Sequence, residues 1–241
     1  LGRAKPGSVS RDRPSDSSAG TSGKPGKGAR SSTEAISAVT ARLLTDIGVY
    51  HPGYRQRLAR YATALAAEVP DRGEYSRLKD PSFVSMLSSV AAVHDLGTLV
   101  VPIAIVQKPG KWDPDELAVF QSHTVTGGEV LTALAEGQPE FGLLAEIARS
   151  HHERWDGAGY PDRLSKTEIP LAARVVGILS VYEALRCRRP HRPAIGHASA
   201  TRLIVTESPG EFDPVLVTAF ETASTNIAHV HSSIRDETNC F

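Results

Sequence analysis

Residues 80–97 read DPSFVSMLSSVAAVHDLG, and this stretch decides the class of the fold. Asp80 is a natural N-cap, because its carboxylate can accept from backbone N–H groups that the first helical turn leaves free. Pro81 follows at the first helical position, where its missing N–H costs nothing. An apolar helical pattern then runs on, and Gly97 is expected to stop it. The reading is one helix that delivers His94 and Asp95 at its C-terminal end.

The same signals recur on both sides. Upstream, YRQRLARYATALAAEV (54–69) places Leu58, Tyr61, Ala62 and Leu65 on one helical face. Downstream, DPDELAVFQSH (113–123) repeats the start with Asp113, Pro114 and Glu116, and His123 is expected to close that segment. FGLLAEIARSHH (141–152) ends on His151 and His152, and IPLAARVVGILSVYEAL (169–185) is apolar on most sides and so central. HASATRLIVTE (197–207) and DPVLVTAFETAS (213–224) close the set. LVVPIAIV (99–106) could run extended, but no series of alternating strands appears. The class is all-α, an irregular helical bundle.

Composition sets the limits. The 241 residues suffice for one large domain, or a domain with a tail, and 40% hydrophobic content supports a real core. Lys and Arg balance Asp and Glu at 27 each, so no global charge favours nucleic acid or a membrane surface. No apolar run approaches a membrane span. Two cysteines, Cys187 and Cys240, make no disulfide framework, and a reducing, cytoplasmic setting is the default. The chain starts at Leu1 with no initiator Met, which suggests a fragment of a longer protein, and no apolar leader marks a signal peptide. Residues 1–30 are Gly, Ser, Pro, Lys and Arg with little to bury, and are expected to be a disordered tail or linker. The helical domain is placed at 31–241, opening on SSTEAISAVTARLL with Ser31 and Glu34 at capping-box spacing.

The chemistry then follows from helix ends. His94, Asp95, His123, His151 and His152 all fall at predicted helix termini, and one pole of a bundle can bring such positions together. Imidazoles with a carboxylate suit Zn, Fe, Mn or Ni. A lone histidine is usually an ordinary surface or core residue; a doublet, a His-Asp pair and a fifth His reverse that expectation.

These residues carry a resemblance. HDLG (94–97), KPGKWDPDE (108–116), His123, HHERWDGAGYP (151–161), IPLAARVVGI (169–178), RCRRPHRPAIGHASA (186–200) and GEFDPVLVTAF (210–220) together resemble an HD-GYP domain. That is the branch of the HD phosphohydrolase superfamily that cleaves cyclic di-GMP in bacterial signal transduction. The resemblance implies a metal-dependent phosphodiesterase with metal ligands at His94, Asp95, His123, His151 and His152. It implies catalytic roles for Asp95 and His94, and substrate contacts from Lys108, Arg174, Gly159, Tyr160 and Pro161. The GYP lip is associated with partner proteins as well as substrate, and an upstream receiver domain, as in response regulators, is common in the family. A homodimer is a further expectation; nucleic acid and membrane are not.

The chain departs from the pattern on the chemistry. The family's ADxYDAL aspartate is Ser180 in LSVYEAL, and the HDxGK lysine is Thr98 in HDLGT. Tyr50 and Tyr54 stand where some members carry Glu and His ligands, and His51 is a neighbour that could substitute. These losses fall on one ion of the family's pair, so one divalent ion rather than two is expected. An active but weakened phosphodiesterase and a degenerate nucleotide- or partner-binding module both stay open; another phosphate ester as substrate is disfavoured by the intact GYP stretch. Arg174 on an amphipathic helix is as readily a surface charge, and Lys108 as readily a turn residue. His191, His197, His229 and His231 read as solvated, and Cys187 as a packed thiol.

Overall fold

The computed structural model describes residues 1–2, 32–51, 53–135, 139–188 and 193–234. The expected disorder of 1–30, Leu1 and Gly2 apart, lies outside the described residues, as does the Ser31 cap. The described residues form helices and connecting turns, with no strand among them. The order is α1 (Ser32–Asp46), α2 (Tyr54–Glu68), a 3-10 segment (Gly73–Lys79), α3 (Pro81–Val90), α4 (Ile103–Val106), α5 (Pro114–Ala133), α6 (Pro139–Ser150), α7 (Leu171–Arg186), α8 (His197–Arg202) and α9 (Pro214–Ser233). LVVPIAIV is not extended: it is covered by a 3-10 segment (Leu96–Val100) and by α4. No described helix is long and apolar enough to cross a membrane.

The starts are made by the expected residues. Asp80 accepts from Ser82 N ahead of α3, and Asp113 with Glu116 forms a full capping box ahead of α5. Asp213 accepts from Val215 N at α9. Helix α7 is the centre of the bundle: every residue from Leu171 to Leu179 is buried. Leu58, Tyr61, Ala62 and Leu65 of α2 are buried too, as their spacing required. Fully burying one such Leu, Val or Ile contributes about 1.5–3 kcal/mol.

Two predicted boundaries move. Helix α3 stops at Val90, and a 3-10 turn (Ala91–Val93) carries the chain to His94. Gly97 is no helix stop; it is a contact point. A Cβ there would lie 2.0 Å from His123 O and 2.7 Å from Gly127 N. Helix α5 does not end at His123 but runs ten residues further, to Ala133. The run TVTGG (124–128) is poor in helix formers, yet tertiary packing overrides propensity here. Its glycines let α5 press against the 94–100 segment and α6 at backbone distance.

Candidate metal centre

Four donors converge where the 3-10 turn after α3, the middle of α5 and the end of α6 meet. Asp95, His123, His151 and His152 each offer one ligand atom, and these atoms lie within 4.8 Å of one another. His123 and His151 are fully or nearly fully buried, while Asp95 is half-buried with an 18% exposed side chain. The Nε2 atoms of His123 and His151 both stand 3.4 Å from Asp95 Oδ1. Neither Nε2 has a hydrogen-bond partner.

The opposite ring nitrogens explain why. His123 Nδ1 donates to Phe120 O at 2.7 Å, and His151 Nδ1 to Ala148 O at 3.0 Å. Both acceptors are carbonyls one turn back. A proton fixed on Nδ1 leaves Nε2 as a bare lone pair, which is how backbone partners set the ligand tautomer in metal sites. A buried polar atom without a partner costs about 1–3 kcal/mol. Two of them aimed at one carboxylate oxygen fit a cation, and the donor set suits a divalent transition ion.

Electrostatics agree. Burial drives the His151 pKa down to about 4, against the pull of the nearby Asp95 charge. Burial, then the neighbouring His151 and His123, hold His152 well below the ordinary range. These rings are therefore neutral, the form that ligates. Burial would push the Asp95 carboxyl up, but the neighbouring His94 prevails and holds it well below the usual carboxylate range. Asp95 is an anion among three imidazoles.

His94 stands outside this four-donor group. Its Nδ1 donates to Ala91 O at 2.5 Å, and its Nε2 faces the other carboxylate oxygen, Asp95 Oδ2, at 3.1 Å. Tyr50 and Tyr54 stack on each other with ring centroids 3.8 Å apart, and each hydroxyl lies 3.4 Å from a His94 ring nitrogen. The two tyrosines thus fill the side of Asp95 where upstream ligands were sought. His51 does not substitute: its Nε2 bonds Arg188 O at 2.8 Å. Ser180 Oγ donates to Gly177 O at 3.0 Å within its own helix, and the Thr98 hydroxyl is buried without a partner.

The other predicted residues divide. Tyr160 stacks on His152 with centroids 4.9 Å apart, and Gly159 is required because a Cβ would lie 2.3 Å from Arg154 N. Pro161 follows through a cis peptide bond on the rim of a surface depression that Gly159 and Tyr160 also line. Arg174 is neither a surface charge nor a free substrate contact. Its Nη1 donates to Asp213 Oδ2 at 2.7 Å, its Nη2 to Glu74 Oε2 at 2.5 Å and its Nε to Ile169 O at 2.9 Å. Glu74 and Asp213 were not legible as its partners, since one lies 100 residues before it and the other 39 after. Lys108 pairs with Glu116 inside the α5 capping box. His197 and His231 are not simply solvated, for each meets a tyrosine hydroxyl, Tyr182 and Tyr61, at 3.0 and 2.9 Å. His191 lies outside the described residues. Cys187 is a packed thiol, its Sγ 3.3 Å from Glu183 Oε1.

The HD domain family matches residues 56–216, which spans every donor of the centre. The chain belongs to the HD-domain family. It is 36% identical over 184 residues to a cyclic di-GMP phosphodiesterase of Vibrio cholerae, covering 75% of this chain and 37% of that protein. It is 33% identical over 193 residues to the cyclic di-GMP phosphodiesterase response regulator RpfG of Xanthomonas campestris, covering 74% of this chain and 50% of that protein. Such relatives place the HD domain in the HD-GYP branch that its motifs resemble. The chain thus spans half or less of the length of these curated relatives. Among solved structures it resembles Bd1817, an HDG"Y"P protein of Bdellovibrio bacteriovorus, with a TM-score of 0.51 at 13% identity. That match covers 83% of this chain and 63% of the other, and it speaks for the fold.

Proposed function

We propose that this HD-GYP domain holds one divalent transition ion (Fe, Mn, Ni or Zn) and binds the phosphodiester of cyclic di-GMP, hydrolysing it slowly. The observation that carries the reading is the pair of orphaned Nε2 lone pairs facing Asp95, with His152 completing the donor set. When bound, such an ion supplies Lewis acidity and lowers the pKa of a coordinated water. Asp95 gives the anionic ligand, and His151 and His152 stay neutral beside it, with His123 as the fourth donor. His94, whose pKa is raised because Asp95 outweighs its burial, holds a proton against Asp95 Oδ2. Tyr160 packs over His152 and covers one side of the site.

What is missing decides the rate. Ser180 offers a hydroxyl already turned to Gly177, and Thr98 offers no positive charge to a phosphate. The Tyr50–Tyr54 stack favours a second reading, a binding module without turnover, because it occupies the place of the upstream ligands. The proposal extends to a cytoplasmic signalling protein with a protein partner at the GYP lip and, as the response-regulator name of the Xanthomonas relative suggests, a receiver domain upstream.

Metal analysis after reconstitution with Mn or Fe, run beside cyclic di-GMP hydrolysis, tests the reading. About one ion per chain and slow turnover are expected. Ser180→Asp with Thr98→Lys should raise the rate by roughly two to three orders of magnitude, the worth of one electrostatic stabiliser. Two tightly held ions, or natural turnover at about 1 s⁻¹ or more, overturns it.

A further inference from the structure

A cavity of about 470 Å³ opens beside the metal donors, lined by Asp95, His94 and His152 on one side and by Trp112, Phe120 and Gln107 on another. That volume lies in the range of small-ligand pockets. Its wall is unlike a phosphate site. The described lining contains no Lys or Arg; Ser180 and Thr98 are neutral, and the only carboxylate is Asp95. A second phosphate group, away from the metal donors, would meet no Lys or Arg in this wall.

The aromatic side of the wall is ordered. Trp112 and Phe120 stack with centroids 4.2 Å apart and an interplanar angle of 27°. Phe120 in turn lies 4.9 Å from the ring of His123, so the aromatic surface runs up to a metal ligand. Trp112 is held by its indole N–H, which donates to Ile105 O at 2.8 Å. Tyr54 lines the cavity from α2. Two polar groups of the lining keep hydrogen-bonding capacity. The Thr98 hydroxyl is 1% exposed and has no partner, and Gln107 spends its amide nitrogen on Ile47 O, leaving its carbonyl oxygen as an acceptor.

We infer that this cavity is a nucleobase subsite, in which a purine of the substrate stacks against the Trp112–Phe120 pair while its phosphodiester meets the metal centre. The inference rests on the function proposed above and names the part of the substrate that the site selects. Stacking of a base on an aromatic side chain tolerates any base and needs no cation. The base edge would satisfy the buried Thr98 hydroxyl, which replaces a charge with a neutral donor and acceptor. The neutral Thr98 and the stacked aromatics thus have one consequence: the pocket favours the base over a second phosphate.

The test separates base from phosphate. On Mn-loaded protein, GMP should bind about tenfold more tightly than ribose 5-phosphate, which has the same phosphate ester and no base. Trp112→Leu should remove that gap while leaving metal content and ribose 5-phosphate affinity unchanged, and Trp112→Phe should keep most of it. Guanosine, with no phosphate, should quench the tryptophan fluorescence of the metal-free natural chain and not that of Trp112→Leu, where Trp155 still reports folding. Equal binding of GMP and ribose 5-phosphate, or a gap that survives Trp112→Leu, overturns the subsite. Because guanosine reads it without metal or turnover, a failed hydrolysis assay would leave this result standing, and the reverse holds as well.

Discussion

Replacing Gly97 by Ala adds a single methyl group at the tightest place in the molecule. The new carbon would sit 2.0 Å from His123 O, 2.7 Å from Gly127 N and 2.8 Å from His123 C. All three obstacles are backbone, so no side chain can swing aside. Ordinary contact begins near 3.4 Å, and the 94–100 segment and α5 must part by more than 1 Å. Overpacking typically costs 1–3 kcal/mol, and rigid obstacles put this case at about 3 kcal/mol. For a domain of this size that lowers Tm by roughly 6–12 °C. The same movement parts Asp95 from His123, whose ligand atoms now stand 3.4 Å apart, and metal affinity should fall at least tenfold. Gly142 in α6 is the control, since a Cβ there meets nothing within 4 Å. Gly142→Ala should be neutral or stabilise by about 0.5–1 kcal/mol. Thermal melts and metal titration of both variants decide the matter. If Gly97→Ala melts within 2 °C of the natural chain and binds metal equally, the close approach is not what fixes this glycine.

Three further outcomes are expected. His151→Ala with His152→Ala should abolish metal binding while the helical circular dichroism persists, because the core rests on apolar faces elsewhere; loss of that signal would make the centre structural. Glu183 is buried against Arg57 at 2.6 Å and Tyr61 at 2.9 Å. Burial raises its pKa, but His231 and Arg57 prevail and bring it from 4.5 down to about 2. Its contribution is therefore complete above pH 4.5 and lost as pH falls toward 2, about 3 kcal/mol in all. Glu183→Gln should lack that acid-dependent loss yet be about 3–5 kcal/mol less stable at neutral pH, the buried Arg57 having lost its carboxylate; parallel urea titrations at pH 2–7 with coincident slopes would refute it. Arg174→Leu should cost a similar amount, because it takes the guanidinium from buried Asp213, and Arg174→Lys should restore only part, since an ammonium cannot reproduce the two-pronged bond to Glu74. If both variants keep full stability and lose only substrate affinity, Arg174 is a substrate residue after all.

Local signals explain why so much was legible beforehand. Asp80, Asp113 and Asp213 cap their helices through bonds two or three residues long, and such signals survive in the chain itself. Helix α7 betrayed its burial by being apolar all round. The candidate donors stood out as a His-Asp pair, a His doublet and a further His; the structure brings four of the five together, leaves His94 to one side and puts His123 mid-helix. What resisted was everything set by long-range approach. Gly97 reads as a stop until α5 is seen against it, and Arg174 reads as a free cation until Glu74 and Asp213 arrive from distant parts of the chain. Trp112 belonged to a recognisable motif, yet nothing local shows that its ring reaches Phe120 and the cavity.

Three histidines, His123 and His151 within the centre and His94 beside it, each donate their Nδ1 proton to a carbonyl three residues earlier. Each ring is thus aimed by a single turn of its own chain, not by a neighbour recruited from elsewhere. The centre is accordingly assembled from prefabricated parts, and tertiary packing has only to set the spacing between turns. A centre of this kind should take up and release its ion without rebuilding itself, and its ligands should tolerate drift in the surrounding core. It should also be portable, because each imidazole travels with the short helical turn that points it.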